Sequence, residues 1–174
     1  KMRRMGFKVN WKASFDFPYM GMFLPPVSDD ERWIRYGGGE ASVPDMRAYS
    51  ANMRSLGFEV LNYFNVTEFG AGITYPPEAD GIGAANPASD AGAPGERLWE
   101  DGSRYLYTKL ADAILFEMEH GDRPRESCRP YFTWGDAVAM DPGEPAYQRH
   151  LLEQAQAHLE RLPDSAGLCI DRLD

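Results

Sequence analysis

Ser42-Val43-Pro44-Asp45 and Gly57-Phe58-Glu59-Val60-Leu61-Asn62-Tyr63-Phe64 bound the stretch that decides the fold. The first run has the S-x-x-D form of a capping box with proline in the first turn, which starts a helix. Met46, Tyr49, Met53 and Leu56 then recur at spacings that line one helical face, and Gly57 supplies the left-handed stop. Straight after it comes a short run rich in β-formers that ends in the polar group Asn65, Thr67 and Glu68. A helix, a glycine stop and a strand with a polar end make one unit of an alternating α/β chain.

Upstream, residues 9 to 17 read as a strand whose polar end, Asp16, passes into a loop marked by Pro18, Pro25, Pro26 and Gly37-Gly38-Gly39. Downstream, residues 70 to 96 are dense in Gly, Ala and Pro without a period, the mark of a long excursion. A helix is expected over residues 98 to 118, with Tyr107, Leu110, Ile114 and Leu115 at fitting intervals and Gly121 after it. Ala137-Val138-Ala139-Met140 reads as a third strand, stopped by Asp141-Pro142-Gly143. Pro145 opens an amphipathic helix in which Tyr147, Leu151, Ala155, Leu159 and Leu162 form a stripe, until Pro163 breaks it. Gly167-Leu168-Cys169-Ile170 is a fourth strand, leading into Asp171-Arg172-Leu173-Asp174. This order predicts a parallel sheet with helical crossovers. Residues 166 to 171 are expected beside 137 to 140, with 58 to 64 between that pair and the first strand.

The chain has 174 residues, 43% of them apolar, enough for a sizeable core and treated as one domain, residues 1 to 174. Its formal charge of −9 with no basic stripe speaks against a nucleic-acid partner. No run of about 18 apolar residues is present, so no membrane span is expected. Cys128 and Cys169 form no C-x-x-C pair, and the three histidines, His120, His150 and His158, lack H-E-x-x-H spacing. No metal and no cofactor is called for.

Every predicted strand ends in acidic or amide side chains: Asp16; Asn65 and Glu68; Asp141; Asp171, Arg172 and Asp174. Catalytic groups gather in this way at the carboxyl ends of the strands of a TIM (β/α)₈ barrel. The G-x-G-x-x-G turn of an open dinucleotide-binding sheet is missing. The expectation is therefore an α/β fold, an incomplete TIM barrel of roughly the first four strands, truncated after the fourth. Such a fragment is expected to be inactive alone and to need the C-terminal half of the same barrel. The ordinary alternative for strand-end Asp and Asn is capping of the next turn or helix, and it weighs most on Asp16 and Asp141.

Gly167-Leu168-Cys169-Ile170-Asp171-Arg172-Leu173-Asp174, with Met140-Asp141-Pro142-Gly143-Glu144-Pro145-Ala146-Tyr147 before it, resembles the fourth-strand region of barrel glycoside hydrolases acting on α-linked sugars. These are the α-galactosidase-like and polygalactosaminidase-like families. The likeness is best over residues 137 to 174. It implies a glycosidase, retaining at an α-linkage, whose nucleophile is the fourth-strand aspartate. Asp171 fits the Gly-φ-φ-φ-Asp form and Asp174 the basic-x-Asp form, so both are catalytic candidates, with the acid/base beyond residue 174. Asp16, Tyr63, Asn65, Glu68, Trp134, Asp141 and Arg172 are candidate binders of a carbohydrate substrate, and Trp11, Phe15, Phe64 and Tyr131 are further aromatics near the strand ends. Two other functions fit the same residues. One is a non-catalytic, carbohydrate-binding barrel. The other is a divalent-metal hydrolase using Asp16, Glu68 and Asp141 as oxygen ligands.

Overall fold

The computed structural model describes residues 2–12, 17, 23, 27–34, 39–70, 96–117, 130–133 and 137–171. Its frame is a three-stranded parallel sheet made of β1 (Val9–Lys12), β4 (Glu59–Asn65) and β7 (Gly167–Asp171), with β4 in the middle. Between β1 and β4 lie a short antiparallel pair, β2 (Trp33–Ile34) with β3 (Glu40–Ala41), and helix α1 (Val43–Ser55). After β4 come β5 (Glu68–Phe69), α2 (Glu96–Lys109), β6 (Val138–Ala139) and α3 (Pro145–Arg161), which leads into β7.

The start and stop of α1 are as the local chemistry requires. Ser42 is the N-cap, its hydroxyl oxygen accepting from the Asp45 amide, and Pro44 sits in the first turn. At the other end Gly57 takes φ 80°, and the amides of Gly57 and Phe58 donate to the carbonyls of Arg54 and Met53. These two bonds form a Schellman stop, which needs a residue free to adopt positive φ. The buried face is Val43, Met46 and Ser50, whereas Leu56 is exposed.

Parallel pairing aligns Trp11 with Leu61, Tyr63 with Cys169, and Asn65 with Asp171. Strand alternation then divides the sheet into two faces. Asn10, Val60, Asn62 and Phe64 point to the helices: Tyr49 of α1 donates to Asn10 Oδ1 at 2.7 Å, and the Phe64 ring lies 5.7 Å from that of His158 on α3. Trp11, Leu61, Tyr63, Asn65, Cys169 and Asp171 share the opposite face. The two helices that flank β4 and β7 thus lie on one side of the sheet.

The segment 137–140 departs from expectation. It does not join the parallel sheet beside β7; β7 pairs directly with β4, so the strand carrying Asp171 is the third of the described sheet, not the fourth. Val138 and Ala139 instead pair antiparallel with β5, and bridges tie Met140 to Ile114 and Val138 to Phe132. Helix α2 likewise stops at Lys109 rather than near residue 118. A 3-10 turn over Ala111–Ala113 follows, and Ile114 is extended, its neighbour Leu115 donating to the Ala139 carbonyl at 3.0 Å. Ile114 and Leu115 fit a helical period, but the β-formers Ile114 and Phe116 pair with Met140 and Pro130 in place of a further helical turn.

Helix α3 starts at Pro145 as expected, and of the expected stripe Tyr147 and Leu162 are buried and Leu151 packs against the core, but the buried row also takes in polar residues. Tyr147, His150, Gln154 and His158 are buried, while Leu159 is 61% exposed. Each inward polar group has work to do. Gln154 Oε1 accepts from the Phe23 amide at 2.6 Å, and Gln154 Nε2 faces His150 Nε2 at 3.5 Å. Because that ring nitrogen must accept, the neutral His150 carries its proton on Nδ1, 3.2 Å from the Tyr105 hydroxyl. His158 is surrounded by the rings of Phe17, Phe23 and Phe64. At the end of the helix Arg161 and Arg47 of α1 both bind Asp29, and together they hold its carboxyl below the usual range.

Burial pushes the His150 imidazole down to about 4. The unfolded chain takes up this proton near the ordinary value of about 6.5, and the folded chain only near 4, so stability is full above about 6.5 and falls as pH drops toward 4. The loss amounts to about 3 kcal/mol. Urea unfolding between pH 7 and pH 4 should show this much less pH dependence in His150→Gln than in the parent chain; equal dependence in both would refute the assignment.

Candidate functional site

Four of the residues singled out at strand ends meet at the carboxyl end of the parallel sheet. The Tyr63 hydroxyl donates to Asp171 Oδ2 at 3.0 Å. Asn65 Nδ2 donates to the Tyr63 oxygen at 2.9 Å and to Glu68 Oε2 at 2.7 Å. Asn65 Oδ1 accepts from the amides of Thr67 at 2.9 Å and Glu68 at 3.1 Å, and from the Thr67 hydroxyl at 3.3 Å. This last set is an Asx turn, and it bends the chain from β4 into β5. The Tyr147 hydroxyl of α3 donates to the Glu68 carbonyl at 3.3 Å and fixes the same bend from below.

The two carboxylates have different surroundings. Glu68 is 2% exposed, and so are its neighbours to within a few percent: Asn65 0%, Tyr63 3%. Asp171 is exposed, at the end of β7. Burial, and next the hydrogen bond to Asp171, hold the Tyr63 phenol far above its ordinary value, so it remains a donor throughout the working pH range. Trp11, 54% exposed, lies 6.0 Å from the Tyr63 ring on the same sheet face. An exposed carboxylate anchored by a buried donor and flanked by an open indole can bind a polar, ring-shaped ligand and present an oxygen nucleophile to it.

Other candidates fall elsewhere. Asp141 is exposed and caps its own turn, Oδ1 accepting from the Gly143 amide at 2.8 Å. Its role in the structure is that of a turn cap, the ordinary alternative for an Asp at a strand end. Its backbone amide donates to the Ala113 carbonyl at 2.8 Å, as part of the antiparallel layer. Phe64 faces His158 and the helices, away from the Asp171 side. Asp16, Trp134, Arg172 and Asp174 lie outside the described residues. Among the described residues no three His, Cys, Asp or Glu side chains are grouped to hold a metal, and no helix is long and apolar enough to cross a membrane.

Sequence reasoning missed the support behind the site. His150, Gln154 and His158 recur at helical spacing from Tyr147, which the stripe did include, and that period was the available signal. His150 and Tyr105 pack against Phe69, directly after Glu68, with ring centroids 5.6 and 6.2 Å away. Comparison with family models, curated proteins and solved structures finds no match.

Removing the negative charge at residue 171 should bring Tyr63 partway back toward the ordinary phenol range, because the charge's own effect vanishes and the hydrogen bond, now to a neutral acceptor, weakens while burial stays. Tyrosinate absorbance during alkaline titration, referenced to Tyr63→Phe, should show earlier ionisation in Asp171→Asn; an unmoved curve would mean the Tyr63–Asp171 bond is not formed. Asp141→Ala should cost about 1 kcal/mol in urea unfolding, the scale of a lost cap, without affecting ligand binding. A binding defect would return Asp141 to the site.

Proposed function

We propose that the parallel sheet belongs to a (β/α)₈ barrel, and that the protein is a glycoside hydrolase acting on an α-linked sugar with retention, Asp171 being the nucleophile. The observation that carries this is the exposed Asp171 at a strand's carboxyl end, held by a hydrogen bond from buried Tyr63. Two features support it. Helices α1 and α3 lie on one face of the sheet, as in a singly wound barrel; an open doubly wound sheet is flanked on both faces. The opposite face carries Asp171 and the open Trp11, a pair suited to a sugar ring, with Tyr63 buried and bonded to Asp171.

In this mechanism an Asp171 oxygen attacks the anomeric carbon as the bond to the leaving oxygen breaks, and an acid residue protonates the departing alcohol. Water, deprotonated by that same residue, then displaces Asp171 and returns the sugar with its original configuration. Glu68 is buried behind Asn65 and so is not the acid/base; that role falls to another residue. Asp174, the alternative nucleophile in the sequence, lies outside the described residues.

Replacing Asp171 by Ala in the intact protein should abolish turnover of an activated α-glycoside, since the glycosyl-enzyme cannot form. Azide should partly restore it by entering the vacated space. Asp174→Ala should weaken turnover less completely. Full activity in both variants would remove the nucleophile from this strand, and sugar binding by a parent protein that turns over no glycoside would leave a carbohydrate-binding function in its place.

A further inference from the structure

The amide of Asn65 can have only one orientation. One of its terminal atoms faces two backbone N–H groups, those of Thr67 and Glu68, so that atom must be the acceptor oxygen. The other is then the NH₂ group, and its two hydrogens point at Glu68 Oε2 and at the Tyr63 oxygen. With its oxygen receiving a hydrogen from Asn65, the Tyr63 hydroxyl directs its own hydrogen to Asp171 Oδ2. The order Glu68, Asn65, Tyr63, Asp171 is thus a chain of hydrogen bonds whose direction is set at Asn65.

From this we infer that Asn65 and Glu68 are positioning residues that do not touch substrate: Glu68 holds the Asn65 amide, and the amide fixes Tyr63 as a permanent donor to Asp171. The inference rests on Asp171 being the nucleophile, and it moves Tyr63, Asn65 and Glu68 out of the substrate-binding set. Their burial agrees with that, since Asn65 is 0% and Glu68 2% exposed. A phenol without this constraint could rotate its hydrogen toward solvent or ligand. Held as it is, it pins one carboxylate oxygen and leaves the other to attack. When water later displaces Asp171, the same donor stabilises the departing carboxylate.

A charge-conserving swap tests the direction of the chain. In Asn65→Asp/Glu68→Gln, residue 65 still accepts from the Thr67 and residue 68 amides, so the Asx turn and the number of carboxylates are kept. Its second oxygen now accepts from the Gln side chain at residue 68 and draws the Tyr63 hydrogen away from Asp171. The swap and, separately, Tyr63→Phe should each lower kcat on an activated α-glycoside about tenfold to hundredfold, the scale of one hydrogen bond to a charged group. KM should not rise in either, because neither change removes a substrate contact. Should the swap not fold, as judged by its urea midpoint, Tyr63→Phe alone decides. A raised KM with unchanged kcat in the decisive variant would make these residues substrate binders and overturn the inference, as would a wild-type kcat. The nucleophile assignment fails separately: if Asp171→Ala keeps full turnover, the assignment of Asp171 and this inference both fall; if it abolishes turnover while the swap and Tyr63→Phe keep wild-type kcat, only the positioning role is lost.

Discussion

β4 is paired in parallel on both sides, and its side chains must therefore satisfy two packed faces at once. The alternation is strict, so one choice of register decides everything that follows. With Asn65 opposite Asp171, the even-numbered Val60, Asn62 and Phe64 meet the helices, and Tyr63 and Asn65 share the other face with Asp171. A slip of one residue on β7 would turn Asp171 toward α3 and leave Tyr63 with no carboxylate to receive its hydrogen. The register is held by more than the ladder: Ser165, just before β7, donates to Asn62 Oδ1 at 3.2 Å and lies 3.1 Å from the Ser50 hydroxyl of α1. That trio, with Ser50 and Asn62 buried and Ser165 half-buried, sits at the opposite end of the strands from Asp171. Both ends of the β4–β7 pair are thus pinned by side-chain hydrogen bonds, in a region where an unmade bond costs about 1 to 3 kcal/mol.

Helix α3 connects the two ends. Its buried row is unusual for a helix against a sheet, because the inward positions next to Tyr147 are taken by His150, Gln154 and His158 rather than by leucines. The exchange is explained by what the helix faces. Gln154 satisfies the backbone of Phe23, and Tyr147 satisfies that of Glu68 at the start of β5, so both are tied to the helix. Farther along, the Arg161 guanidinium stacks 5.4 Å over Phe23 and also bonds Asp29. That surface clasp adds little stability on its own, being open to solvent. Its contribution is geometric, because Arg47 also donates to the Arg161 carbonyl at 2.8 Å and so joins α1 to α3 on the same face of the sheet.

How much of this the sequence revealed depended on the range of the interaction. The caps of α1, Ser42 and Gly57, were readable because a cap is a contract among neighbours in sequence. Asn65, Glu68 and Asp171 were readable for a similar reason, as the polar groups at the ends of short β-forming runs, with Tyr63 an aromatic just inside one. Ala137 to Met140 was not. All four of these residues are buried, so the run looks the same whether it lies parallel to β7 or antiparallel to Glu68–Phe69, and only the partner distinguishes the two. The overlong helix over residues 98 to 118 failed for the converse reason: its period was right, but Ile114 found a distant partner in Met140. In α3 hydropathy pointed to Leu159 and away from His158, yet His158 is 1% exposed among three phenylalanine rings. Hydropathy scores a side chain alone and cannot see such an enclosure.

The contrast between Glu68 and Asp171 follows from the same geometry. Both are carboxylates at the ends of strands in one hydrogen-bonded chain, and composition gives no ground for ranking them. Their positions do. Glu68 opens β5, and β5 pairs with β6, so its side chain turns into protein and meets the Asn65 amide. Asp171 closes β7, where the sheet meets solvent, and only its Oδ2 is engaged by Tyr63. A buried charge must be matched by fixed donors, and once matched it serves to order its neighbours. An exposed carboxylate with one anchored oxygen has the other available for chemistry. The division of labour between the two acids is thus a consequence of which strand each one ends, and it needs no difference in their own chemistry.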